Sequence, residues 1–252
     1  MNRQKIRLRL GVVGYPLAHS FSPAYFQAKF RRLGLNQWDY QAYPLAEASA
    51  IPRLFEEDDR LVGLNVTIPH KPSALTLAAT RTSEALTVGA ANTLRRERDR
   101  SLTAHNTDAL ALGEVFLERS ARPGRALVLG SGGASRAVCV ALRRLEIVPQ
   151  VVSRRPQAEA LTYAQVTPDT VRQHPWIINT TPLGMWPDTD SFPPLPYEAL
   201  TGEHWLLDLV YNPEQTAFMQ KGRKQGAAAD NGRDMLEYQA EYSWEFWRDV
   251  WS

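Results

Sequence analysis

The turn Gly130-Ser131-Gly132-Gly133-Ala134-Ser135 has the spacing of a dinucleotide fingerprint, with Ser135 in place of the last glycine. Glycines there let the backbone approach a pyrophosphate, which then rests on the N-terminus of the following helix. The plain alternative is a tight turn and nothing more. The setting favours the nucleotide. Ala126-Leu127-Val128-Leu129 before the turn reads as a buried strand, and Ala134, Ala137, Val138, Ala141, Leu142 and Leu145 mark one face of a helix after it. A site for NAD needs Asp or Glu at the end of the next strand to bind the ribose hydroxyls. That position here reads Ser153-Arg154-Arg155. An arginine pairs instead with a 2′-phosphate and stacks on adenine, so the cofactor expected is NADP(H). Without the glycine turn upstream, the same arginines would read as solvated surface cations.

Lys71 is a second candidate. In Asn65-Val66-Thr67-Ile68-Pro69-His70-Lys71, a strand sends Asn65 and Thr67 to one face and Val66 and Ile68 to the other. Pro69 ends the strand and Lys71 emerges beyond it. A lone lysine is usually a surface residue. Yet among 29 Lys+Arg residues only Lys5, Lys29, Lys71, Lys221 and Lys224 are lysines, and lysine, unlike arginine, can release a proton near neutral pH. Asn106-Thr107-Asp108 reads either as an N-cap cluster or as an ionised carboxylate at a helix start, able to pair with Lys71. Ser20-Phe21-Ser22-Pro23 is equally two-sided. Ser22 can cap a helix with Pro23 at its first position, or Ser20 and Ser22 can bind a substrate carboxylate.

Gln239 shares a helical stripe with Met235, Leu236, Ser243, Phe246 and Val250. That aims an amide at the interior, where it must bond to backbone or to a hydroxylated ligand. Trp244, Trp247 and Trp251 read as packing residues. So do His19, His70, His105, His174 and His204, because no His/Cys/carboxylate group has metal-ligand spacing; no metal is expected.

Such groups need a scaffold. Short apolar runs alternate with helical periods, which argues for α/β units and a mainly parallel sheet. Strands are expected at 8–14, 61–68, 90–94, 102–104, 126–129, 148–152, 176–179 and 205–208. Helices are expected from Ser22, from Thr107 or Asp108 to about Leu117, after Gly133, and from about Arg233 to Val250. With 252 residues, 44% hydrophobic and 22% charged, the chain can build one large core or two smaller ones. A net charge of +2 with scattered basic residues leaves no nucleic-acid footprint. The longest apolar run, Ala137 to Leu142, is far short of the roughly 20 residues a membrane span needs. Gly11-Val12-Val13-Gly14 is too short for a signal-peptide core, and the single cysteine, Cys139, excludes an internal disulfide. A cytoplasmic location is the expectation.

Taken in order, several segments resemble the shikimate dehydrogenase family, which includes the quinate/shikimate dehydrogenases. They are residues 14–23, 65–71, Gly89-Ala90-Ala91-Asn92-Thr93, Asn106-Thr107-Asp108, 130–136, 178–185, Asp208-Leu209-Val210-Tyr211-Asn212-Pro213 and 231–239. The resemblance implies a two-domain α/β protein. Residues 1–105 with 228–252 would form an N-terminal α/β substrate domain to which the C-terminal helix returns, and 106–227 a Rossmann-like domain for NADP. Lys71 and Asp108 would be the catalytic pair. Ser20 and Ser22 would hold the substrate carboxylate. Asn65, Thr67, Lys71, Asn92, Asp108 and Gln239 would bind the ring, with Tyr211 close by. Gly130, Ser131, Gly132, Gly133 and Ala134 would cradle the pyrophosphate, and Ser153, Arg154 and Arg155 the 2′-phosphate. Thr180, Pro182 and Val210 would also bind the cofactor, and Gly232 and Met235 would flank the nicotinamide. The implied reaction is reversible reduction of 3-dehydroshikimate to shikimate with NADPH, on the route to chorismate and aromatic amino acids, by a monomer or homodimer. The rivals are a quinate/shikimate enzyme of dual specificity and a non-catalytic regulator that senses NADP and dehydroshikimate.

Overall fold

A computed structural model describes residues 7–17, 20–120 and 122–251. Ala18 and His19 lie outside the described residues, so the packing role expected of His19 is not addressed. The chain forms two compact units, Met1–Thr107 with Gln239–Ser252, and Asp108–Tyr238.

In the first unit the order is β1 (Leu8–Gly14), α1 (Ser22–Arg32), β2 (Trp38–Pro44), α2 (Ile51–Glu57), β3 (Leu61–Val66), α3 (Lys71–Leu77), β4 (Thr80–Arg81), α4 (Ser83–Val88), β5 (Thr93–Arg96) and β6 (Leu102–His105). They make a six-stranded sheet ordered β2-β1-β3-β5-β6-β4. β1 is parallel to β2 and β3, and β4 to β6. β5 runs antiparallel to both its neighbours. The polar turn between β5 and β6 closes with Glu97 N–H on the Ser101 carbonyl at 2.8 Å, and a hairpin so short can only join antiparallel strands.

The second unit runs α5 (Asp108–Leu117), β7 (Arg125–Leu129), α6 (Gly133–Arg144), β8 (Val148–Ser153), β9 (Ala160–Thr162), α7 (Pro168–Arg172), β10 (Trp176–Asn179), β11 (Trp205–Asp208), α8 (Ala217–Lys224), β12 (Ala228–Asn231) and α9 (Arg233–Trp251). Its six strands are ordered β12-β11-β10-β7-β8-β9, and every pairing is parallel. Counting from β7, that is the doubly wound order 3-2-1-4-5-6, with its switch point between β7 and β10. The unit division falls inside α9. The sequence reading put the return to the first unit at 228, but β12 pairs with β11 and so belongs to the second sheet.

Each sheet is covered by apolar side chains. On one face of the first, Leu10, Val12, Phe26, Phe30, Trp38, Tyr40, Val62, Ala240, Trp244 and Trp247 form a cluster. The other face packs Val13, Leu64 and Val66 against Ile51, Phe55 and Ala74. Trp247 is fully buried against Gly63, where a Cβ would collide with its indole, and its Nε1 donates to the Leu94 carbonyl at 2.9 Å. The expected stripe on α9 is therefore rotated. Ala240, Ser243, Trp244 and Trp247 are buried, whereas Phe246 and Val250 are only half-buried. The indoles win the inward face because they bury more apolar surface, and the Trp247 N–H finds a strand carbonyl there. Phe246 is covered instead by the Arg95 guanidinium, 4.1 Å from the ring centroid, and the His105 ring at 4.6 Å. Glu241, on the same helix, bonds to both Tyr25 and Lys29 of α1.

Candidate active site and cofactor cradle

The predicted substrate residues of the first unit stand on a buried polar network. Ser22 is not the N-cap expected of it. It is the first residue of α1, with Phe21 in the capping position and no side-chain cap. Its hydroxyl turns inward to Tyr40, leaving Ser22 only 9% exposed. Burial pushes the Tyr40 phenol well above its ordinary pKa, so it stays protonated and donates to Asn65 Oδ1 at 2.7 Å. Asn65 Nδ2 in turn donates to Ser243 Oγ at 2.9 Å and to Thr93 Oγ1 at 3.5 Å. Both amide hydrogens of Asn65 are thus committed within the protein, and a carbonyl lone pair is what it has left for a ligand.

Asn92 grips the end of the same framework. Its Oδ1 accepts from the Thr107 N–H at 2.8 Å and its Nδ2 donates to Thr107 Oγ1 at 2.9 Å. Thr107 is fully buried, and Asp108 follows it directly as the first residue of α5. A carboxylate in a first helical turn is favoured by the helix dipole. On the other side of Asn92, the Ala91 N–H donates to the Lys71 carbonyl at 2.8 Å. Lys71, half-buried, is thereby tied to the segment that leads through Asn92 into β5. The turn before it is held by His70, whose N–H donates to the Thr67 carbonyl at 2.9 Å and whose Nε2 lies 2.7 Å from the Leu45 carbonyl. Thr67 is half-buried, Gln239 buried, and Ser20 half-exposed with its N–H on the Leu17 carbonyl at 3.1 Å.

The cofactor candidates all fall in the second unit. Gly130 ends β7 with φ +111°, a conformation that needs glycine. A Cβ on it would stand 2.6 Å from Thr180 Oγ1. Thr180 follows β10 and donates that hydroxyl to the Leu129 carbonyl at 2.7 Å, so the two loops meet at the switch point. Gly132 and Gly133 differ. A Cβ on either would meet nothing within 4 Å, so the fold itself does not require glycine there. Gly132 is the N-cap of α6 and no side chain caps the helix. Amides pointing from a helix start into open space fit a pyrophosphate. Ser135, at the third glycine position, is 2% exposed. Ser131 and Ala134 complete the turn.

Arg154 and Arg155 are exposed beyond β8. Ser153 is buried, and its hydroxyl accepts the Arg155 N–H at 3.3 Å. It shapes the arginine turn from inside. Pro182 is exposed, Tyr211 half-buried, and Val210, Gly232 and Met235 are buried. Among the described residues no group of three or more His, Cys, Asp or Glu could hold a metal ion, and no helix is long and apolar enough to cross a membrane. His174 and His204 are buried with ring nitrogens near backbone carbonyls, as packing residues are.

Comparison with known proteins decides the family. A family model described as the shikimate dehydrogenase substrate binding domain matches residues 12–94. A shikimate dehydrogenase (NADP(+)) of Desulforamulus reducens is 32% identical over 265 residues, which span 94% of this chain and 88% of the relative. The chain belongs to the shikimate dehydrogenase family. The crystal structure of a Thermus thermophilus member of the family, shikimate 5-dehydrogenase in complex with NADP(H) and shikimate, matches with a TM-score of 0.85 and 33% identity, covering 96% of this chain and 94% of that one. A quinate dehydrogenase from Corynebacterium glutamicum in complex with NAD matches with a TM-score of 0.83 and 26% identity, covering 94% and 92%.

Sequence reasoning passed over residues on which the family's motifs rest here. Tyr40 and Thr93 had no local signal of their own, Thr107 read only as part of an N-cap cluster, and Ser243 only as a member of the stripe on the last helix. Asp208 is another. It is fully buried at the end of β11 and accepts from Asn179 Nδ2 at 2.9 Å, the Val210 N–H at 3.0 Å and Thr216 Oγ1 at 2.6 Å. Asn179 Oδ1 in turn accepts from Thr181 N–H and Oγ1 at 3.0 and 2.6 Å. One carboxylate thus sets both loops that carry Thr180, Pro182 and Val210. Burial raises its pKa to about 6, against the pull of the hydrogen bonds from Thr216, Val210 and Asn179. The unfolded value is about 3.9. Its folded pKa is the higher one, so the stability it contributes is complete below about pH 4 and is lost as pH rises through about 6. The expected result is that the Tm difference between wild type and Asp208→Asn changes across this window, with wild type losing ground as pH rises. Thermal scans from acid to neutral pH check this; a constant difference would contradict it.

Proposed function

We propose that this chain reversibly reduces 3-dehydroshikimate to shikimate with NADPH. The first unit carries most of the proposed substrate residues, and the second carries the proposed cofactor residues together with Asp108 and Tyr211. The carrying observation is the buried framework of Asn65, Asn92 and Thr107, from which Thr67, Lys71 and Asp108 follow within a few residues. The Thermus thermophilus relative, bound to NADP(H) and shikimate, supports the same chemistry.

When bound, NADPH supplies the hydride; the chain's residues manage orientation and the proton. Gly132, Gly133 and Ala134 would hold the pyrophosphate, and Arg154 and Arg155 the 2′-phosphate. Ser20 and Ser22 would hold the substrate carboxylate, Ser22 by turning its proton from Tyr40 to the ligand. Lys71 sits at the substrate carbonyl. Negative charge grows on that oxygen as its carbon is reduced, and the ammonium stabilises it and delivers a proton from Nζ. Asp108 accepts a hydrogen bond from a neighbouring ring hydroxyl and orients the Lys71 ammonium. In the oxidative direction Lys71 takes up the hydroxyl proton. Asn92, Thr67, Gln239 and Tyr211 fix the ring.

The test is an absorbance assay of NADPH formation with shikimate and with quinate, each with NADP+ and NAD+. Shikimate with NADP+ is expected to give the highest kcat/KM. Quinate as the better substrate would overturn this reading in favour of the dual-specificity enzyme, which the likeness to a quinate dehydrogenase keeps as the second reading. No turnover with any pair would favour the sensing regulator; the presence of Lys71 and Asp108 argues against it. Removing both Arg154 and Arg155 is expected to raise the NADP+ KM by about ten- to a hundredfold, as befits charge-assisted hydrogen bonds worth roughly 1.5–3 kcal/mol. NAD+ KM is expected to stay as it was, and parallel titrations of the two cofactors read the difference. The enzyme is proposed to act in the cytoplasm, as a monomer or homodimer, without nucleic-acid or membrane partners.

A further inference from the structure

The buried network beneath the proposed substrate residues closes on a side chain of α9. Ser243 Oγ is fully buried and has four polar neighbours. It donates to the Gln239 carbonyl at 2.8 Å, accepts from Asn65 Nδ2 at 2.9 Å, and lies 3.0 Å from Thr93 Oγ1 and 3.2 Å from Thr107 Oγ1. A hydroxyl has one proton and two lone pairs, and one assignment satisfies every group. Tyr40 donates to Asn65 Oδ1, and Asn65 to Ser243 and Thr93. Thr93 donates to Asn92 Oδ1 at 3.1 Å, and Asn92 to Thr107 Oγ1. Thr107 then donates to Ser243, and Ser243 to Gln239. Each donor finds one acceptor, and the circuit joins β2, β3, β5, the residue before α5, and α9.

We propose that Ser243 is a positioning residue for the substrate, acting through Asn65, Thr107 and Gln239 without touching the ring. The proposal rests on the reading of the first unit as the substrate site. Its physical basis is that this hydroxyl is the shared partner of side chains from separate elements. An alanine there leaves the Asn65 amide and the Thr107 hydroxyl each short of a partner inside the fold. Buried polar groups without partners move to find new ones. The groups that would move are those that hold Asn92, and through it Thr107, in place, together with Asn65 and the first turn before Ser243. A network built only for stability would stop at the strands. This one ends at the residues proposed to face the ligand. Ser243→Ala removes a single buried oxygen and leaves the Trp247 anchor of the helix on the Leu94 carbonyl in place.

The experiment compares Ser243→Ala with wild type and with Trp247→Phe. The latter removes an equally deep hydrogen bond of α9, to the Leu94 carbonyl, outside the network. Steady-state kinetics are run well below each Tm, varying shikimate and NADP+ separately. Ser243→Ala is expected to lower kcat/KM for shikimate by about tenfold or more, chiefly through KM, and to leave the NADP+ KM within about twofold. Trp247→Phe is expected to lower Tm without this substrate-selective loss. Ser243→Cys, which keeps a weak donor and acceptor at the position, should recover part of the shikimate KM; it is also the variant to read if the alanine form does not fold. A shikimate KM within about twofold of wild type in the folded serine variants, whatever their Tm, would overturn the proposal. Wild type without shikimate-dependent NADP+ reduction would instead refute the proposed function, and the two failures are told apart by that control.

Discussion

Lys71→Ala is expected to lose at least about a hundredfold in kcat with shikimate and NADP+, because a positioned acid–base group contributes about 10²–10⁴ in rate. The structure gives reasons to expect that this loss is chemical. Lys71 is the first residue of α3, where a cation gains nothing from the helix dipole, so the dipole does not explain its presence. The contact that ties this turn to the sheet is made by the Lys71 carbonyl with the Ala91 N–H and survives truncation of the side chain. Asp108→Asn is expected to fall as far. It keeps the shape of the side chain and Thr107's grip on Asn92, but it removes the charge proposed to act with the ammonium. NADP+ binding should be unchanged in both variants, since neither side chain is among the residues proposed to hold the cofactor. Stopped-time assays with saturating substrates, and titration of NADPH fluorescence, provide the two readouts. Full activity in either variant would remove the pair from the mechanism.

Gly132→Val is expected to abolish useful cofactor binding while leaving a folded protein. At Gly132 the backbone is extended, with φ −85° and ψ −167°, which valine adopts readily. A Cβ there meets no protein atom within 4 Å. The space it enters is the space proposed for the pyrophosphate. Loss of two charge-assisted amide contacts, at roughly 1.5–3 kcal/mol each, raises the NADP+ KM by about a hundredfold or more. Gly130→Ala should fail for another reason. Its φ of +111° and the Thr180 hydroxyl 2.6 Å from the new Cβ strain the fold itself, by about 1–3 kcal/mol for the backbone alone. The signature is therefore crossed: Gly132→Val keeps its Tm and loses NADPH, whereas Gly130→Ala loses Tm. Normal NADPH binding by Gly132→Val would sink the cradle assignment. This contrast separates glycines that the backbone demands from glycines that a ligand demands, which a motif cannot do.

Much of this protein is decided by its sequence alone. The strands β7, β10 and β11 are short apolar runs with both faces buried, and between turn signals such runs read as central strands of a parallel sheet. The glycine turn and the arginines after β8 carry the expectation of a phosphate-binding helix start and of a 2′-phosphate partner, because those expectations rest on residue type and short spacing. The edge strands were not legible. β2, β9 and β12 are short or mixed in polarity and incompletely buried, and they become strands only because a neighbour supplies the ladder. The tertiary structure also decided which way α9 turns, since Gly63 and the Leu94 carbonyl select Trp247 over Phe246 for the inward face. It moved Ser22 from cap to first helical residue, with its hydroxyl on Tyr40. Above all it made Ser243, Thr93 and Thr107 into one polar centre. A serine's local sequence tells only that it can donate one hydrogen bond and accept two. Which groups arrive to use them depends on long-range packing, and that is set by the whole sheet and not by any segment of it.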